Sequence, residues 1–161
     1  MYQRIVLTLA ILGLAGCGQQ AGESADTPPL PTAATLGEQP VMSNLDYLAQ
    51  EPYASADRDR GAAQVQICRA CHTLGEGEAH MIGPNLYGFF GRPAASAEGF
   101  GNYSSVLSDA GIVWSPQAVD AFIAQPMKFL PGNRMSFIGI SSKLDRDALL
   151  AYLLEVTDDA Q

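Results

Sequence analysis

Lysine is almost absent from this chain, which has two lysines and seven arginines against seventeen acidic residues. The formal net charge is −8 at neutral pH. A chain this acidic repels the phosphate backbone of DNA and RNA. The composition therefore excludes nucleic acid as an expected partner.

Cysteine is also scarce, with three residues at Cys17, Cys68 and Cys71. An odd count with this spacing does not indicate a disulfide framework. Cys17 follows a short apolar segment near the chain start. Cys68 and Cys71 have the spacing of a metal or cofactor site, so the two groups need separate explanations.

The chain has no apolar run of the roughly 20 residues that a membrane-spanning helix needs. An uncharged apolar run over residues 5–16 follows Arg4 and has the length of a signal-peptide core. The run ends in Leu14-Ala15-Gly16-Cys17, which resembles the lipobox of bacterial lipoproteins. This resemblance implies a lipoprotein signal peptide over residues 1–16 and lipidation of Cys17. An ordinary secretory signal and a retained short anchor remain the alternatives.

Residues 17–45 are rich in Gly, Ala, Ser, Thr, Pro and Glu, a composition that buries too little apolar surface to fold. We therefore expect Cys17 to begin a flexible linker that ends at residue 45. The folded domain is expected over residues 46–161, with its core at about residues 57–156. A domain of this size leaves no room for a second catalytic domain.

The most informative motif is Cys68-Arg69-Ala70-Cys71-His72, the attachment signature of haem c. At a helix end, cysteines three residues apart share one face, so each can form a thioether with a haem vinyl group. His72 then offers an imidazole nitrogen to the iron. A thioredoxin-like pair would need a βαβ setting, and a zinc site would need more ligands than His80. We predict one haem c, covalently bound through Cys68 and Cys71.

The second axial ligand decides function, because iron capped by methionine mainly passes electrons whereas open iron binds small ligands. His80 and Met81 follow His72 too closely to reach the opposite haem face easily. Met127 and Met135 flank a loop farther along the chain. The residues alone leave these two methionines open.

The chain carries several further motifs in a fixed order after His72, namely Gly83-Pro84-Asn85-Leu86, Gly91-Arg92, Trp114 and residues 131–137 with the sequence Pro-Gly-Asn-Arg-Met-Ser-Phe. This order resembles the class I cytochromes c, especially the mitochondrial and alphaproteobacterial branch, over about residues 57–156. The resemblance implies the all-α cytochrome c fold, a few helices and long loops around one haem.

The same resemblance implies roles for individual residues. Met135 becomes the distal ligand, and Met127 becomes a packing or surface residue. The Pro84 carbonyl accepts a hydrogen bond from His72, and three residues contact the haem propionates: Arg92, Tyr103 and Trp114. Three positions depart from the family, where asparagine, tyrosine and threonine are common, and predict a simplified polar network near the methionine: Leu107, Phe122 and Asn133.

Start signals predict four helices independently of the family. They are expected at 58–70 after Asp57, at 104–110, at 115–124 with Ser115-Pro116 at its start, and from about 144 to 156 after Ser142. Residues expected where the first and last helices cross are Gly61, Val65, Leu149 and Tyr152. The glycine-rich stretch 75–101 is expected to form loops. Residues expected to form an apolar wall around the haem are Leu86, Phe89, Phe90, Phe129 and Leu130.

These features predict a membrane-anchored mono-haem electron carrier on the periplasmic side of a bacterial membrane. Its expected partners are respiratory redox proteins, with no small-molecule substrate and no enzymatic activity. One alternative is a haem subunit fixed within an oxidase or dehydrogenase complex. Another is a haem peroxidase or nitrite-reducing enzyme. The family's ring of docking lysines is nearly missing here, so tethering is expected to supply part of the steering that charge would provide.

Overall fold

The computed structural model describes residues 30–158, so the expected signal peptide and Cys17 lie outside the described residues. Its helices are α1 (Asn44–Leu48), α2 (Arg58–Arg69), α3 (Ser105–Ser108), α4 (Pro116–Ala124), α5 (Pro126–Phe129) and α6 (Lys143–Val156). Within this range β pairing is limited to one isolated antiparallel bridge, between Pro93 and Val113. The predicted all-α class is confirmed. None of the helices in residues 30–158 has the length and apolarity to cross a membrane.

Each of these helices except α5 begins after a residue whose side chain caps it. Asp57 accepts a hydrogen bond from the Arg60 amide at 2.9 Å, and Ser115 accepts one from the Ala118 amide at 3.1 Å. These caps satisfy amide groups that have no partner within the first helical turn. Two short helices, α1 and α5, were not predicted, because four or five residues are too few to show helical periodicity.

Helices α2 and α6 pack closely enough for their backbones to touch. A Cβ atom on Gly61 would lie 2.3 Å from the Ala148 carbonyl oxygen and 2.7 Å from the Tyr152 Cβ atom. Val65 and Leu149 are fully buried beside this contact. The predicted crossing is confirmed, and it requires a residue without a side chain at position 61. It also fixes the end of α2, where Cys68 lies.

A buried ion pair joins α6 to α4 and to the chain that precedes α6. The Arg146 side chain, 4% exposed, donates from Nε to Asp120 Oδ1 at 2.8 Å. Its Nη1 also donates to the carbonyl oxygens of Ile140 and Ser141, at 2.9 and 2.8 Å. Burial of an ion pair is favourable only when such additional hydrogen bonds satisfy the charged groups. Arg146 therefore fixes the end of the loop over residues 130–142.

The chain before α1 departs from the expected linker, because residues 30–43 pack on the domain. We call this segment the N-terminal strap. Leu36 is buried in the core at 7% exposure, and the Ala33 amide donates to the Phe129 carbonyl at 3.0 Å. Just beyond the strap, Asn44 Nδ2 donates to the Leu154 carbonyl at 2.9 Å. One buried leucine and several backbone hydrogen bonds thus order a segment whose overall composition suggests a coil.

The strap gives a first test. Replacing Leu36 by Ala should lower the free energy of unfolding by about 2 kcal/mol or more, because the substitution removes a buried side chain and leaves a cavity. The matched control is Leu45→Ala, since Leu45 is 65% exposed and its loss should cost about 0.5 kcal/mol or less. Denaturant titration measures both values. Equal stability of the two variants would show that the strap is not part of the folded domain.

Candidate functional site

A cavity of about 650 Å³ opens between the end of α2, the loops that follow it, α4 and the loop over residues 130–142. Its size is in the range of cofactor pockets. All eight residues predicted from the sequence to contact the cofactor line it: Cys68, Cys71, His72, Pro84, Arg92, Tyr103, Trp114 and Met135. The fold thus brings together groups that are separated by up to 67 positions in the sequence.

The two cysteines lie where α2 ends. Cys68 belongs to the last turn of α2, and its carbonyl accepts hydrogen bonds from the amides of Cys71 and His72, at 3.0 and 2.9 Å. Burial raises the pKa of the Cys68 thiol to about 11. Such a thiol is neutral at physiological pH, unlike the reactive thiolate of a redox pair. No group of three or more His, Cys, Asp or Glu side chains in residues 30–158 is arranged to hold a metal ion.

The His72 ring is fixed in position and in tautomeric form. Its Nδ1 lies 2.6 Å from the Pro84 carbonyl oxygen. Since a carbonyl only accepts, Nδ1 carries the proton, and the lone pair remains on Nε2 for a metal ion. Burial lowers the pKa of His72 and so favours the neutral imidazole that a metal requires.

Gly83 is a site residue whose role the sequence did not reveal. A Cβ atom there would lie 2.3 Å from His72 Cε1 and 2.7 Å from both ring nitrogens. The Gly83 amide also donates to the Cys71 carbonyl at 2.9 Å. Glycine thus lets the backbone lie directly against the imidazole ring. The only sequence signal that could have indicated this role is the Gly83-Pro84 motif.

Of the four candidate second ligands, Met135 is the one that lines the cavity. Met81 and Met127 are 48% and 54% exposed and lie outside the lining. His80 is also outside it, with both ring nitrogens bound to backbone. Its Nδ1 accepts from the Asn85 amide at 2.9 Å, and its Nε2 lies 2.8 Å from the Glu98 carbonyl oxygen.

Asn133 holds the start of the loop that carries Met135. Its Nδ2 donates to the carbonyl oxygens of Pro126 and Leu130, at 2.9 and 2.8 Å, and its Oδ1 accepts from the Met135 amide at 2.9 Å. Asn133 is buried, at 8% exposure. Leu107 and Phe122, the other two departures from the family, line the cavity with apolar side chains. Of the three departures from the family, Asn133 is therefore the one that makes polar contacts on the Met135 side of the cavity.

Arg92 and Trp114 become neighbours through a short antiparallel pairing that the sequence did not predict. The Gly91 amide donates to the Trp114 carbonyl at 3.0 Å, and the Trp114 amide donates to the Arg92 carbonyl at 2.9 Å. Tyr103 accepts a hydrogen bond from the Ala97 amide at 3.2 Å. Burial raises the pKa of Tyr103, while Ala97 and the positive charge of Arg92 act in the opposite direction.

The rest of the lining is mostly apolar. Leu86 and Phe89 line the cavity as predicted, whereas Phe90, Phe129 and Leu130 are buried in the core but do not line it. These three were wrongly assigned to the cavity wall, because burial in a sequence pattern does not distinguish a cavity from the core around it. Within the wall, Phe122 packs on Trp114, with ring centroids 5.3 Å apart, and it also packs on Phe129 in the core, with ring centroids 5.7 Å apart.

The contacts of Asn133 predict the behaviour of the Met135 loop. Asn133→Ala removes the acceptor of the Met135 amide and one of the two donors to each of the Pro126 and Leu130 carbonyls, so it should cost about 1–3 kcal/mol. The Met135 amide should then exchange with solvent deuterium at least about tenfold faster, a factor that corresponds to about 1.4 kcal/mol. Gln66→Ala is the control, since Gln66 is exposed, lies on α2 and is outside the cavity lining. Unchanged protection of the Met135 amide in Asn133→Ala would contradict the assignment.

No protein-family model matches the chain. The chain is similar to cytochrome c of Stellaria longipes, with 39% identity over 106 residues that cover 65% of this chain and 97% of that protein. It is 41% identical to cytochrome c2 of Agrobacterium tumefaciens over 101 residues, 61% of this chain and 90% of that protein. A cytochrome c homolog of Bradyrhizobium diazoefficiens is 30% identical over 150 residues, 93% of this chain and 72% of that protein.

Proposed function

Because the chain belongs to the class I cytochromes c and carries one haem c bound through Cys68 and Cys71, we propose that it is a lipid-anchored carrier of single electrons between membrane-bound respiratory proteins. Its family makes it a haem-containing electron carrier. The main structural support for the electron-carrier part of the proposal is that Cys68, Cys71, His72 and Met135 all line one mostly apolar cavity.

His72 and Met135 are the proposed axial ligands. The hydrogen bond from His72 to Pro84 leaves Nε2 for the iron, and Met135 is the candidate sulfur that reaches the cavity. The bound haem supplies a one-electron Fe(II)/Fe(III) couple. Pro84, Gly83 and Asn133 hold the two ligand-bearing segments in one arrangement, which keeps reorganisation small during electron transfer.

The propionate contacts are assigned to Arg92, Tyr103 and Trp114, in agreement with the family pattern. Support comes from their shared position in the cavity lining and from the proximity of the Arg92 charge to the Tyr103 hydroxyl. A guanidinium can neutralise a propionate, while a phenol and an indole N–H can donate hydrogen bonds to it. These groups would let an otherwise apolar cavity accept the charged edge of the haem.

An electron carrier accounts for the site better than a haem enzyme does. No carboxylate of residues 30–158 lines the cavity, and His80 uses both ring nitrogens in backbone contacts away from it. A peroxidase or nitrite-reducing site would need a general acid or base beside an open iron. Met135 supplies a second ligand in place of that open position.

The lipid anchor is proposed at Cys17, with the domain on the periplasmic side of a bacterial membrane. The support is the lipobox-like sequence before Cys17 and the cytochrome c2 relatives. The Ala33 amide is bound to the Phe129 carbonyl and Leu36 is buried in the core, so the proposed tether is the chain between Cys17 and Ala33. A fully extended chain of this length spans at most about 60 Å. The carrier would therefore stay close to the membrane, at a raised effective concentration for its partners.

The ligand assignment predicts the visible spectrum of the oxidised protein. Met135→Ala should abolish the charge-transfer band of an iron–methionine bond, because it removes the sulfur that faces the cavity. Met127→Ala is the matched control and should retain the band, since Met127 is outside the lining. Retention of the band in Met135→Ala, or its loss in Met127→Ala, would refute Met135 as the ligand.

The anchor assignment predicts both location and rate. A Cys17→Ala chain exported behind an ordinary secretory signal should appear in the soluble periplasmic fraction, because it has no residue to lipidate. At equal bulk concentration it should reduce membrane partners at least about tenfold more slowly, since tethering commonly raises effective affinity by larger factors. An unchanged visible spectrum is the control for folding. Equal electron delivery by both forms would contradict a role for the anchor.

A further inference from the structure

Three isoleucines surround the mouth of the haem cavity. Ile67, Ile82 and Ile138 line the cavity, and they are nevertheless 52%, 75% and 93% exposed. A side chain that both lines a cavity and faces solvent lies at its opening. The three come from separate segments, namely α2, the loop after His72 and the loop that carries Met135. We call them the isoleucine rim.

The fold does not need these side chains. Ile138 is almost fully exposed, while its neighbours Phe137 and Ile140 pack against the core. Single exposed apolar residues are common on protein surfaces, but an apolar group concentrated at a functional opening indicates contact with another molecule. The isoleucine rim therefore calls for a functional explanation.

The charges at the mouth do not suit an acidic or a basic partner. No carboxylate and no lysine of the described chain lines the cavity. Two arginines line it. Arg92 is assigned to the haem propionates, and Arg134 Nη1 already donates to Asn102 Oδ1 at 2.8 Å and to the Tyr103 carbonyl at 3.3 Å. An acidic partner would meet few free cations there and would be repelled by a chain of net charge −8. A basic partner would find no carboxylate among the described residues that line the cavity.

We propose, on the basis of the electron-carrier function above, that the isoleucine rim docks a redox protein whose own contact surface is apolar and uncharged. Removing the exposed isoleucine surface from water supplies the attraction. A second copy of this chain is a poor occupant, because both copies would carry the same large negative charge. The contact is small, which suits the short-lived complexes that electron carriers form.

The chemistry of the partner's contact surface determines how the rate of electron delivery responds to salt. An apolar contact should be nearly insensitive to ionic strength, whereas a contact between opposite charges weakens as salt screens it. The test uses the purified, lipidated holoprotein in its reduced form, mixed with washed membranes from the source organism. Stopped-flow reoxidation of the haem gives the rate constant between about 20 and 500 mM salt.

The expected rate constant changes by less than about twofold over this range. The double variant Ile82→Ser/Ile138→Ser should deliver electrons at least about fivefold more slowly at every salt concentration, because it loses apolar contact area. Leu144→Ser is the matched control and should behave as the original protein. Leu144 is 61% exposed but lies outside the cavity lining. An unchanged iron–methionine band in all variants verifies the haem site.

Three results would overturn the docking proposal. One is a rate constant that falls more than about tenfold with added salt, which would show charge-driven docking. Another is full activity of the double isoleucine variant. The third is a dimer in analytical ultracentrifugation that the same variant abolishes. If the original protein delivers no electrons to membranes although a small mediator cycles its haem, the proposed carrier function fails, and the docking proposal fails with it.

Discussion

The backbone contact between α2 and α6 at Gly61 is the constraint on which the site depends. Because no side chain separates the helices there, the end of α2 is held at a fixed depth against α6. Cys68 occupies the last turn of α2, and Cys71 and His72 follow within hydrogen-bonding distance of its carbonyl. The position of the attachment cysteines is therefore decided by packing at Gly61, seven residues before Cys68 and ten before Cys71.

The opposite wall of the cavity is a loop without regular secondary structure, and its two ends are held by different means. Asn133 binds the start of the loop through its carboxamide, and Arg146 binds the end through the Ile140 and Ser141 carbonyls. Between these points Met135 faces the cavity and Ile138 faces solvent. One loop thus carries both the proposed iron ligand and part of the proposed docking surface, so the partner would contact the loop that holds the ligand.

Charge and apolar surface are distributed unevenly over this molecule. The chain has a net charge of −8, yet no carboxylate in the described range lines the cavity. An acidic surface keeps a protein soluble and discourages association between copies. An apolar opening then restricts association to the site of electron transfer. The proposed tether and the isoleucine rim would together do what a lysine ring does in other members of the family.

The sequence by itself determined the cofactor motif, the all-α class and the bounds of four helices to within about two residues. These features depend on signals close together in the chain, such as the caps at Asp57 and Ser115 and the cysteine–histidine spacing. Only the tertiary structure showed that Leu36 is buried, that Gly83 lies against His72 and that Asn133 holds Met135. Each of these depends on segments distant in sequence meeting in space, and a local pattern carries no information about which segments meet.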